Sequence, residues 1–221
     1  MADADSRAGQ RYATPQILDW AARTHHPRDP RLDRAFTAPG RHGMPEIQVG
    51  PAEGRLLEML LRFSGARRVV EIGTLAGYSA LWMLRALPED GHLWTLEADP
   101  EHAEVAREVF HDAGVTDRVT VLVGDAMESL PKLSDSGPFC AAFIDADKAR
   151  YDQYGRWATE NLREGGLLLG DNAYLFGDLL DDSETASAMR RFHEDMAEHY
   201  RSVCIPTPDG LAVGVRTSSE A

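Results

Sequence analysis

The sequence is poor in several things, and each shortage excludes something. Its 221 residues hold two cysteines, Cys140 and Cys204, far apart and each inside an apolar stretch. With no CxxC pair and no Cys/His cluster, a disulfide framework and a cysteine-based zinc module are excluded, and the pair reads as two reduced, buried thiols. No apolar run approaches the roughly 18–20 residues that span a bilayer. The opening Met1-Ala-Asp-Ala-Asp-Ser-Arg has no apolar signal core, so a soluble chain in a reducing cytoplasm is the default expectation. Positive charge is also scarce. Lys and Arg number 23 against 36 Asp and Glu, a net of −13. So acidic a chain is a poor binder of phosphate backbones and of anionic membrane surfaces. There is no internal repeat and no low-complexity segment.

What is present is ordinary globular composition, 43% hydrophobic and 27% charged. The length suits one domain at roughly 100–200 residues each. Thr14-Pro15 and Asp29-Pro30 look like helix starts, with the second helix running to Phe36. Residues 37–50, rich in Pro and Gly, read as a loop, and a helix from Pro51 carries Leu56, Leu57, Leu60 and Leu61 at helical spacing. The pattern then changes. Short apolar strands at Arg68–Ile72, His92–Leu96, Val119–Val123, Phe139–Ile144 and Leu167–Leu169 alternate with helices, and Gly165-Gly166 reads as the turn that ends the helix from Tyr151. Such alternation indicates an open parallel α/β sheet. Val203–Ile205 and Leu211–Val215 flank Pro206–Gly210, so the sheet should finish with a β-hairpin.

In such a sheet, ligands bind at the carboxyl ends of the strands. The loop Glu71-Ile-Gly73-Thr-Leu-Ala-Gly77-Tyr-Ser79 sits at the first of these ends. A dinucleotide fingerprint would need Gly at 71 and 76, where the chain has Glu71 and Ala76, and a carboxylate at 71 would oppose a pyrophosphate. A cofactor with a positive end and no phosphate removes the conflict, and S-adenosylmethionine is one. Gly73 would allow close approach, and amides near Tyr78 and Ser79 would hold its carboxylate. Glu97, ending the second strand, would accept both ribose hydroxyls. Gly124-Asp125-Ala126, ending the third, would meet the adenine.

Asp145-Ala-Asp147-Lys148 follows the fourth strand and Asp171-Asn172 the fifth. Adjacent strands lie about 5 Å apart, so Asp145 and Asp171 can face each other with Asn172 beside them. That is an all-oxygen set suited to a hard cation such as Mg²⁺. Asp147 reads as a cap of the next helix. Lys148 has two readings, a base with a lowered pKa beside a cation or a plain ion pair to a neighbouring carboxylate.

Taken in order and spacing, these segments, together with Pro208-Asp-Gly210, resemble the cation-dependent class I O-methyltransferases, the group of caffeoyl-CoA and catechol O-methyltransferases and their bacterial relatives. The likeness runs from about Ile47 to Val215. It implies a Rossmann-like, seven-stranded, mostly parallel sheet with helices on both faces and an antiparallel last strand. Residues 1–50 would be a helical extension or lid on a single methyltransferase domain at 51–221. It implies cofactor contacts by Val49, Glu71, Gly73, Thr74, Ser79, Glu97, Ala126 and Asp145, with metal held by Asp145, Asp171 and Asn172. The metal would be Mg²⁺ or another divalent cation such as Mn²⁺ or Ca²⁺. Lys148 and Asp145 would be catalytic, the acceptor a phenolic small molecule with vicinal hydroxyls, and the assembly a homodimer. Where plant members carry a Leu-Trp pair, this chain has Ala173-Tyr-Leu-Phe-Gly177, so Tyr174 or Phe176 would supply the aromatic wall. Three other readings stand beside this one: a tRNA modified-uridine methyltransferase of the same family, which the charge argues against; a binding protein for S-adenosylmethionine without turnover; and a nicotinamide dehydrogenase, which Glu71 and Ala76 disfavour.

Overall fold

The computed structural model describes residues 3–7, 13–25 and 29–218. After a short turn of helix, α1 (Ala4–Arg7), come α2 (Pro15–His25), α3 (Pro30–Arg41) and α4 (Pro51–Ser64). The alternating part is β1 (Arg68–Ile72), α5 (Tyr78–Ala86), β2 (His92–Glu97), α6 (Pro100–Asp112), β3 (Val119–Val123), α7 (Ala126–Leu133), β4 (Phe139–Ile144), α8 (Tyr151–Asn161) and β5 (Leu162–Gly170). The chain closes with α9 (Glu184–His199), β6 (Tyr200–Ile205) and β7 (Leu211–Arg216). The seven strands lie in the order β3-β2-β1-β4-β5-β7-β6. β1 to β5 are parallel, and β7 runs antiparallel to both β5 and β6. This is the expected Rossmann-like sheet. The strand order reverses between β1 and β4, which places the binding crevice at their carboxyl ends.

Alternation along the strands explains the two layers. On one face Val69 and Phe143 pack with Leu57, Leu61, Trp82 and Phe110 of α4 to α6. On the other, Val70, Ile72 and Ile144 pack with Tyr151, Trp157, Met189 and Phe192 of α8 and α9. The central parallel strands are covered on both sides, which is why β4 is apolar along its whole length and β1 nearly so, whereas β3 at the edge is only half-buried.

Two expectations are corrected. The second helix does not stop at Phe36. It continues through Pro39 to Arg41, because Ala35, Ala38 and Pro39 are buried and tertiary packing outweighs the hydrogen bond that proline cannot make. Gly165-Gly166 does not precede the fifth strand but lies within it. Pairing already begins at Leu162 opposite Phe139, then resumes at Leu167 opposite Ala141, so the glycines form an irregularity in β5, with Gly165 at φ +70°.

Residues 1–50, of which 1–2, 8–12 and 26–28 lie outside the described residues, do not behave as one unit. α2 buries no side chain, whereas Leu32 and Ala35 of α3 sit in the main core. Asp29 caps α3 and also pairs with Arg85 of α5 at 2.6 Å, tying the helix to the domain.

Candidate active site

A cleft of about 640 Å³ opens at the carboxyl ends of β1, β2 and β4. Val49, Gly73, Thr74, Ser79, Glu97, Ala126, Asp145, Lys148 and Asn172, all expected site residues, line it. Glu71 and Asp171 do not; both are buried beneath its surface.

Glu71 lies opposite Thr95 in the β1–β2 register, on the face covered by α5. Ser79 Oγ donates to its Oε1 at 2.5 Å and Thr95 Oγ1 to its Oε2 at 2.6 Å, while Thr74 and Thr95 hydroxyls lie 2.5 Å apart. Burial raises its pKa to about 8. The two hydroxyl bonds oppose the rise, and the negative charges of Asp145 and Glu97 add to it. Glu71 therefore organises the glycine loop from below rather than facing a ligand directly. Gly73, which lines the cleft, also has a reason to be glycine within the chain itself. Its φ is +100°, and a Cβ there would lie 2.1 Å from the Asp145 carbonyl oxygen. The residue is small because β1 and β4 converge. Gly124, at φ +117° with nothing in the Cβ direction, keeps that part of the cleft wall open.

Glu97 accepts backbone N–H bonds from Thr74 (3.2 Å) and Leu75 (2.7 Å) at Oε2, and from Asp99 (3.0 Å) at Oε1. A carboxylate has about four acceptor positions, so roughly one remains, on Oε1, for a ribose hydroxyl rather than two. Asp125 is likewise engaged. It caps α7 at Met127 N–H and takes a bidentate bond from Arg150, at 2.9 and 2.8 Å, instead of meeting adenine freely. Arg150 also pairs with Asp147 at 3.1 Å, and Tyr154 donates to Asp147 at 2.6 Å.

At the other end of the cleft the register places Ile144 beside Gly170, so Asp145 and Asp171 leave adjacent strands together. Lys148 Nζ donates to Asp145 Oδ1 at 3.0 Å. Lys148 is one of two lysines in a chain that otherwise uses arginine. Burial, then the negative charge of Asp145 and Glu53, raises Asp171 to about 7, with the Asn172 backbone bond and Lys148 opposing. Asn172 has φ +51°, left-handed backbone that asparagine tolerates better than most side chains. The buried Tyr151 hydroxyl lies 2.7 Å from the Ile144 carbonyl and 2.6 Å from the Asp171 carbonyl, its one proton shared between them, and so bridges the two strand ends. Among the described residues no cluster of three or more His, Cys, Asp and Glu could hold a metal. The candidate set is two carboxylates and an amide oxygen. Its chemistry fits a hard cation, because close negative charges are incompletely offset.

Phe176, at φ +55° and 71% exposed, lines the cleft, as does Ile47, which is 72% exposed. Tyr174 does not line it. Its ring packs at Gly210, where a Cβ would come within 2.9 Å. Asp209 accepts the Phe176 N–H at 2.9 Å and holds the wall in place.

A family model described as O-methyltransferase matches residues 29–217. The chain belongs to the O-methyltransferase family. It is 43% identical over 199 residues to a catechol O-methyltransferase of Niastella koreensis, covering 85% of this chain and 90% of that protein. It is 43% identical over 173 residues to a catechol O-methyltransferase of Mycobacterium tuberculosis, covering 77% and 78%. Among solved structures it resembles the O-methyltransferase TomG of Streptomyces achromogenes, involved in tomaymycin synthesis and in complex with SAM. The TM-score is 0.85 and the identity 32%, over 92% of this chain and 96% of that one. A Bacillus cereus O-methyltransferase in complex with SAH gives a TM-score of 0.84 at 32% identity, over 91% and 97%. This O-methyltransferase is thus an enzyme that uses S-adenosylmethionine, and the glycine-loop half of the cleft is where its residues suit that cofactor.

Sequence reasoning missed Thr95, Tyr151, Arg150 and Asp209 as supports of this site. Thr95, a lone polar residue inside an apolar strand, carried a readable signal. The other three are recognisable only from their partners.

Proposed function

We propose that this O-methyltransferase methylates one hydroxyl of a small vicinal-dihydroxy aromatic acceptor with a divalent cation, Mg²⁺ or a similar ion, held by Asp145, Asp171 and Asn172. The observation that carries the reading is that Asp145, Asn172 and Lys148 line a cleft bordered by exposed Ile47 and Phe176, with Asp171 buried just beneath them at the end of the adjacent strand. The names of the 43% identical relatives agree with it. When bound, the cation supplies charge that eases deprotonation of the acceptor, and the cofactor supplies the methyl group. The chain's own residues do the rest. Ile47 and Phe176 hold a flat ring edge-in and keep water from its faces. Tyr151 keeps the two strand ends in register, so that the oxygens of Asp145 and Asp171 stay within reach of one ion. Lys148, after giving up a proton of its own, would as a neutral amine take the acceptor's proton. Val49, Thr74, Ser79, Glu97 and Ala126 position the cofactor from the other side.

A net charge of −13 favours a small acceptor over nucleic acid. The reading includes a cytoplasmic homodimer. α2 leaves Ile17, Leu18 and Trp20 exposed, and α4 leaves Met59 and Phe63 exposed, so these helices offer apolar surface for a second copy. Among the described residues, no helix is long and apolar enough to cross a membrane. The test is methyl transfer to catechol and caffeic acid after exhaustive chelation. Activity should vanish and return on adding Mg²⁺. Undiminished activity in chelator would overturn the metal, and turnover only on acceptors lacking vicinal hydroxyls would overturn the acceptor class.

A further inference from the structure

Phe176 belongs to the segment 173–177, directly after Asn172, and each of its five backbone N–H groups finds an acceptor. Ala173 donates to the Gly210 carbonyl and Tyr174 to the Asp209 carbonyl, both at 2.9 Å. Leu175 donates to the Asn172 carbonyl at 2.8 Å and Gly177 to the Tyr174 carbonyl at 3.0 Å. Phe176 differs, because its N–H goes to a side chain, Asp209 Oδ1, at 2.9 Å. Three of the five bonds therefore cross to the turn between β6 and β7. That turn is closed on itself, by Thr207 N–H to the Ile205 carbonyl (2.8 Å) and Gly210 N–H to the Thr207 carbonyl (3.2 Å). It is a firm base, and Asp209 is the one side chain through which it holds a backbone N–H of the segment.

Phe176 needs that partner. At φ +55° it is a bulky residue in left-handed backbone that such residues seldom adopt. With 71% of its surface exposed, packing does little to keep it there. A conformation of this kind persists where surrounding bonds over-determine it. A bond between backbone groups survives most substitutions, whereas this one depends on the identity of residue 209. Phe176 borders the same cleft as Asp145, Lys148 and Asn172. An aromatic acceptor lying against Phe176 presents one of two unequal hydroxyls to the methyl donor, and a displaced wall lets the ring turn and present the other. A shift of about 1 Å is enough to matter for such a transfer. We infer, on the acceptor reading above, that Asp209 is the positioning residue that decides which of two vicinal hydroxyls receives the methyl group, by anchoring Phe176 through its backbone N–H.

The probe is caffeic acid, incubated with the full chain, S-adenosylmethionine and Mg²⁺. Chromatography gives the ratio of its two monomethyl ethers, and amide hydrogen exchange follows Phe176 in the ligand-free protein. The unaltered protein should favour one ether and protect the Phe176 N–H. Asp209→Ala should speed that exchange, move the ratio toward one and raise the acceptor KM about threefold or more, part of what a hydrogen bond to a charged group is worth. Cofactor affinity by calorimetry should not change. Asp209→Asn keeps an acceptor oxygen in place and should restore both ratio and protection. Asp209→Glu keeps the charge but moves the oxygens outward by one methylene, so it should shift the ratio too, and it carries the test if Asp209→Ala folds poorly. An unchanged ratio in the Ala and Glu variants despite faster Phe176 exchange would overturn this proposal alone. So would an Asn variant that behaves like Ala, a parallel loss of cofactor affinity, or a ratio already near one in the unaltered protein. Failure of the unaltered protein to form either ether would sink the acceptor reading and this proposal together.

Discussion

The two halves of the cleft are built on opposite principles. In the cofactor half, the two carboxylates are held mostly by the chain's own donors. Glu97 holds three backbone N–H groups, and Glu71 holds two hydroxyls. In the acceptor half, like charges crowd together and two large apolar side chains stand exposed, whereas left-handed backbone occurs in both halves, at Leu75 in the glycine loop and at Asn172, Leu175 and Phe176. The first half is preorganised, which suits a cofactor of fixed shape. The second carries unbalanced charge and exposed apolar surface, which a bound cation and a ring would cover.

The contrast can be broken most sharply at Asp171. Asp171→Ala should lower kcat by about 10²-fold or more, the scale of losing a key electrostatic group, while calorimetry shows S-adenosylmethionine still binding. An equal loss of cofactor binding would erase the distinction between the halves. Next is Glu97→Ala, which strands three N–H groups at roughly 1–3 kcal/mol for each buried one. Cofactor affinity and melting temperature should both fall, by more than for any conservative change in the acceptor loop. Tyr151→Phe removes the hydroxyl that bonds both strand-end carbonyls. It should reduce kcat severalfold with the KM for cofactor unchanged, since the clamp serves only the acceptor half.

A smaller effect concerns pH. The folded-state pKa of Glu71 is raised from 4.5 to about 8, so the folded protein binds the extra proton. Its contribution to stability is full below pH 4.5 and is lost as pH rises through about 8. Asp171, raised to about 7, acts in the same direction over the lower part of that window. Thermal melts of the ligand-free protein should therefore show a falling melting temperature toward alkaline pH, and Glu71→Gln should flatten the upper part. A melting temperature that rises toward pH 8 would contradict the burial of Glu71 as a neutral acid. Smallest of all, Phe176→Ala should raise the KM for a catechol acceptor by a few fold, with little change in the KM for cofactor.

Much of this was legible beforehand. β1, β3 and β4 match their expected bounds, because short apolar runs between glycine and proline punctuation leave little choice. The rim residues were legible for the same reason, since strand ends in a parallel sheet point to one side. Less legible were the ends of α3 and β5, where burial and a strand irregularity overrode local signals.

The sequence by itself determined which acids stand at strand ends, since that depends only on where each strand stops. It could not determine which of them reach the cleft. Glu71 has its pKa pushed up because the helices packed over β1 bury it, while Thr95, 24 residues away on the next strand, supplies one of the hydroxyls that partly offset that burial. Asp125 is occupied because Arg150, 25 residues on, folds back over it. Partners so distant are chosen by sheet register and helix packing, so a side chain's charge state and its freedom to meet a ligand are properties of the tertiary structure alone.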